Sequence, residues 1–139
     1  MASGLGLAFC GDNVRVTSAM LHANVRQPAD IEKCLLRLGS AGTPPVGKSV
    51  GLMFACCGRG RDFYSGKVNV ESSVFKKLYP RVPLMGFFGG GEIGYDFPLV
   101  PTDSRHSAFA GAGDGADDSD LPEMYHSFTT IFVLLSFLS

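Results

Sequence analysis

The chain has 139 residues, of which 45% are hydrophobic and 18% charged, with a formal net charge of −1. That length suits one domain with a sizeable core, and the 18 glycines and 8 prolines exclude a helical bundle in favour of a turn-rich fold. A net charge so near zero excludes general attraction to nucleic acid or to an anionic membrane, both of which draw on a summed basic field.

Gly4 to Cys10 is a short apolar run. Gly11-Asp12-Asn13 has turn chemistry, and Val14 to Leu21 follows with an imperfect alternation. Together they predict a hairpin. Pro28 suits a first helical turn, Asp30 and Glu32 favour its positive end, and Ile31, Leu35 and Leu38 share a face before Gly39 ends the helix. A loop containing Pro44-Pro45 and Gly47 leads into an apolar strand, Val50 to Ala55. Asn69 caps a second helix with Val70, Val74, Phe75 and Leu78 on one face, and Pro80 stops it. Leu84 to Phe88 reads as a strand too apolar to meet water on either side.

Phe97 to Pro122 holds prolines followed by a Gly/Ala/Asp-rich tract, which predicts a flexible low-complexity loop. Tyr125 to Leu138 closes the chain as a strand rich in Phe, Thr, Ile and Val. Its apolar part is about half the roughly 20 residues that a membrane-spanning helix requires. The expected fold class is α/β, a mixed β-sheet with helices packed on it, forming one domain over residues 1–139.

Charge is unevenly spread. Lys48 to Arg81 carries seven basic residues against Asp62 and Glu71, whereas Glu92 to Glu123 carries eight acids against Arg105. Mutual attraction of the two segments, or two solvated faces, accounts for this more simply than a nucleic-acid patch. Four cysteines without a C-x-x-C pair, and no secretory leader, point to free thiols in a reducing compartment.

Two loops hold the candidate site residues. Cys56 and Cys57 end a strand at Gly58-Arg59-Gly60-Arg61, where cationic neighbours favour a thiolate and two guanidinium groups fork onto carboxylate or phosphate oxygens. The plainer account of the same residues has one cysteine in the core, one exposed, and a glycine turn with solvated arginines. Gly89, Gly90, Gly91, Glu92 and Gly94 satisfy G-x-G-x-x-G after a strand, yet Tyr95-Asp96-Phe97-Pro98 opens no helix, so a dinucleotide site is not expected. The glycines instead predict a strained turn that brings Glu92 and Tyr95 to the rim beside the Cys56 loop. His22, His106 and His126 lack metal-site spacing, and no metal or cofactor is expected. A Cys56/His126 nucleophile–base pair requires the last strand to lie beside the one ending at Cys56.

The segments FACCGRGRDFYSGK, VPLMGFFGGGEIGYD and YHSFTTIFVLL resemble the FIST C domain (F-box and intracellular signal transduction) of F-box proteins. The resemblance implies a FIST C-like partial domain that lacks the F-box and the N-terminal FIST half. It implies a non-enzymatic part of an SCF-type ubiquitin ligase subunit that holds a target protein, with Skp1 and cullin engaged only through the absent F-box. Cytoplasmic and nuclear localisation goes with that role. Within it, Cys56, Cys57, Arg59, Arg61, Gly89, Gly90, Gly91, Glu92 and Tyr95 form the expected contact surface. Two other readings of that rim are a small-ligand sensor and a redox-sensitive thiol switch.

Overall fold

The structure is a computed structural model that describes residues 6–98 and 124–138. In chain order it comprises β1 (Val14–Leu21), α1 (Pro28–Leu36) continued by a 3-10 turn (Arg37–Gly39), β2 (Ser49–Cys56), α2 (Val70–Leu78), β3 (Leu84–Gly89), β4 (Glu92–Ile93), β5 (Tyr125–His126) and β6 (Thr130–Phe137). Strands β1, β6, β2 and β3 form one sheet in that order. Pairs β1–β6 and β6–β2 are antiparallel and β2–β3 is parallel, so the sheet is mixed and the α/β expectation holds.

Both helices pack on one face of this sheet, because residues alternate along each strand between its two sides. Ala19 and Leu21 of β1 and Phe132 and Leu134 of β6 turn toward Ile31 and Leu35 of α1 and Val74 and Phe75 of α2. Phe75 is fully buried and stacks on Phe132 at 5.7 Å between ring centroids. Gly51 makes room for it: a Cβ there would stand 2.4 Å from Phe75 Cζ. The helices are tied at their ends by Lys77 Nζ to Glu32 at 2.8 Å and by the Tyr79 hydroxyl, which donates to the Leu35 carbonyl at 2.8 Å.

Several sequence expectations are corrected. Residues 6–10 form no strand, so among the described residues there is no amino-terminal hairpin: β1 pairs with β6 over its whole length, and Phe9 only rests edge-on against Phe137. On the other edge of β1 it is Phe97 that pairs, exchanging both backbone hydrogen bonds with Ser18 at 2.8 and 3.0 Å. The closing strand is split, since Phe128 adopts a positive φ of 57° that breaks the ladder between β5 and β6. Asn69 stands at the N-cap of α2 but in a left-handed conformation and without a side-chain cap bond. Most consequentially, β3 is not sandwiched. Among the described residues it is the sheet edge, and Met85, Phe87 and Phe88 are 60%, 62% and 55% exposed. Of the expected flexible loop, residues 99–122 lie outside the described residues.

Candidate functional site

The peptide leaves β2 through a 3-10 turn, Cys57–Arg59, and Arg59 turns inward. Its side chain is wholly buried and all five of its N–H groups are used. Nε donates to Glu71 Oε1 at 2.8 Å. Nη1 donates to the carbonyls of His22 and Phe128, both at 3.1 Å, and Nη2 to the Val25 carbonyl at 2.9 Å and the Tyr64 hydroxyl at 2.8 Å. The guanidinium also lies 4.5 Å from the Phe63 ring centroid. Tyr64 in turn donates its proton to Glu71, which completes a closed triangle of charge and hydroxyl. Burial first, then the hydrogen bond to Glu71 and its negative charge, push the Tyr64 phenol well above its ordinary value of 10.0. Arg59 is thus an internal tie between the end of β1, the loop before α1, α2 and the loop before β6. The expectation of a guanidinium offered at the rim is corrected: its donors are already spent.

What Arg59 supports is a cavity of about 340 Å³ at the C-terminal ends of the parallel strands β2 and β3. Open α/β sheets bind ligands at this end of their strands. Met53, Val68, Val70 and Phe88 give it apolar walls, and the exposed Arg61 and Lys67 stand at its mouth. The first turn of α2 lines it as well, with amide groups that carry the positive end of the helix dipole. Glu71 is also in the wall, but its carboxylate is engaged by Arg59 and Tyr64. The cavity therefore presents an apolar interior under a net positive mouth.

The sequence-predicted residues do not converge on one site. Cys57, Arg59 and Arg61 come together in the cavity wall. Cys56 does not: it is buried at the end of β2 while Cys57 is exposed, which is the plainer of the two readings of the pair. Gly89, Gly90 and Gly91 form the turn out of β3, and Gly91, at a positive φ of 126°, passes under the Tyr125 hydroxyl, 2.7 Å from where a Cβ would be. Glu92 is not at the rim. It is 3% exposed and accepts the Thr129 hydroxyl proton at 2.5 Å. Tyr95 faces the opposite side of the sheet, beside Phe97 and Ile131. Strand β6 does lie beside β2, but the His126 ring is bonded to the Gly94 carbonyl at 2.9 Å, so no Cys56/His126 pair forms. Lys67, Val70 and Phe88 were missed. Asn69 was the one nearby signal, since it starts the helix whose first turn, Val70 to Ser72, lines the cavity.

A profile of the FIST C domain matches residues 6–95. The chain belongs to the FIST C domain family. This FIST C domain is 37% identical over 135 residues to proteins named F-box only protein 22 from Homo sapiens and from Pongo abelii, covering 96% of the chain and 31% of each relative. It is 32% identical over 111 residues to an uncharacterized protein of Mycobacterium bovis, covering 78% of the chain and 28% of that protein. The FIST C domain thus spans about a third of the length of the curated relatives it matches. The matched stretch contains every element from β1 to β4 and the whole cavity wall.

Proposed function

We propose that the chain is the target-recognition part of an F-box-type ubiquitin ligase subunit, serving ubiquitin-dependent proteasomal degradation by holding a target protein rather than by catalysis. The observation that carries this reading is the 37% identity over 96% of the chain to F-box only protein 22. Skp1 and cullin are then engaged by an F-box elsewhere in such a subunit, in the cytoplasm and nucleus. The cavity with its basic mouth and the exposed β3 beside it form the contact surface. Pulldown from cells with this chain alone, beside the same chain joined to an F-box-containing N-terminal half, tests the reading. Both forms retain one shared client and only the longer captures Skp1. A longer form that captures Skp1 without any client shared with the chain refutes it.

The cavity itself favours one other reading, a sensor of small anions, since its volume falls at the lower end of the range typical of ligand pockets. A saturable rise in Tm with a small carboxylate, abolished by Arg61→Glu, supports that reading. A Tm unchanged up to millimolar concentrations refutes it.

A further inference from the structure

Among the described residues, no strand or helix covers the outer edge of β3. Its sequence, LMGFFG, holds no charge and no proline, and its register with β2 runs unbroken from Leu84 to Gly89, so no bulge turns the edge aside. The Gly51 amide donates to the Pro83 carbonyl at 2.8 Å, which sets the phase of the parallel ladder. Pro83, Met85 and Phe87 direct their backbone groups to β2, while Leu84, Gly86 and Phe88 direct theirs outward. The outward row, Leu84, Gly86 and Phe88, is a template for one more strand. Phe88 also lines the cavity, so edge and cavity are continuous at that residue.

We propose that an extended, apolar segment of the target protein, flanked by acidic residues, adds as a strand to the β3 edge. One of its side chains then enters the cavity, and its carboxylates meet Arg61 and Lys67. The inference rests on the target-recognition reading and specifies the partner's chemistry. Backbone pairing supplies the affinity and the cavity and its mouth supply the selection, as in other strand-addition complexes. Charge argues against a second copy of this chain as the occupant. Antiparallel β3–β3 pairing would set Arg81, exposed just before β3, against the Arg61 and Lys67 mouth of the other copy.

Fluorescence anisotropy with the purified chain tests this, using an eight-residue probe that alternates valine and threonine between terminal aspartates, its lysine-ended counterpart and its backbone N-methylated form. The acidic probe saturates, binds at least tenfold tighter than the lysine-ended one, loses binding on N-methylation, and weakens at least tenfold against the Arg61→Glu/Lys67→Glu variant. Equal binding of acidic and lysine probes, undiminished binding of the N-methylated probe, or no saturation by the acidic probe overturns the proposal. So does a concentration-dependent dimer in sedimentation that excludes the probe. Capture of the client from cells is scored in parallel with the double variant. A client still held by that variant while the acidic probe fails refutes strand addition alone, and loss of any client by the unmodified chain refutes the recognition reading itself.

Discussion

Replacing Arg59 with methionine removes a guanidinium that makes five hydrogen bonds to groups on four separate segments. The methylene stem is retained in volume, so the loss is polar rather than a cavity. Glu71, with a side chain 6% exposed, is left with the Tyr64 hydroxyl as its partner. Removing one member of a buried ion pair typically costs about 3–5 kcal/mol, because the remaining charge is uncompensated. At roughly 4 °C per kcal/mol for a domain of this size, the expected fall in Tm is about 12–20 °C. Urea unfolding followed by circular dichroism reads the free energy, and calorimetry reads the Tm. The double variant Arg59→Met/Glu71→Gln removes the stranded charge and recovers on the order of 1–2 kcal/mol of the loss, a coupling typical of contacting groups. A loss below about 1 kcal/mol for the single variant, or a double variant no more stable than the single, refutes the account of Arg59 as an internal tie.

Further outcomes follow from the packing. Phe75→Ala empties the centre of the helix–sheet interface and costs about 3–5 kcal/mol in urea unfolding. Gly51→Ala drives a methyl group into the same ring, 2.4 Å from Phe75 Cζ, and costs about 1–3 kcal/mol by overpacking. Gly86→Ala places a Cβ 2.0 Å from the Met53 carbonyl oxygen, so β3 must shift off β2, and amide exchange in β3 accelerates ahead of the rest of the sheet. The Tyr64 phenol has its folded pKa raised, so the unfolded chain loses this proton first. Its contribution to stability is fully present below about pH 10 and declines as the pH rises past that value toward the folded pKa. Between pH 10 and 12 the native chain therefore loses stability more steeply than Tyr64→Phe, which equilibrium unfolding at each pH compares directly.

Helix α1 was legible because Pro28 at its first turn and the Ile31, Leu35, Leu38 spacing agree with one another, and β2 because a continuous apolar run is bounded by turn residues. The hairpin failed because Gly11-Asp12-Asn13 does turn the chain, with the Val14 amide on the Gly11 carbonyl, but turn chemistry says nothing about which strand lies alongside. That choice went to β6, more than a hundred residues away. The burial of β3 failed for a related reason: an apolar run records what a strand is made of, not how many neighbours it has. Within the site, the Gly58 to Arg61 loop was located correctly, yet local sequence does not distinguish Arg59 from Arg61. One side chain is consumed by three distant carbonyls, those of His22, Val25 and Phe128, and the other faces solvent. Glu92 was misplaced because the bonding of Thr129 to its carboxylate depends on the fold-back at Phe128, where a non-glycine residue takes a positive φ.

The burial of Arg59 has a consequence for where this domain tolerates change. A position whose every donor is satisfied inside the molecule is constrained by folding, whatever the domain binds, so its arginine marks the scaffold and carries no information about the partner. Arg61 and Lys67 stand exposed at the mouth, two and eight residues further along, and although Arg61 Nε donates to the Gly66 carbonyl at 3.2 Å, exchange of such surface residues costs the scaffold little. One loop thereby holds both a buried pin, whose loss costs stability, and an exposed lip, whose alteration changes what the cavity mouth attracts at little cost in stability.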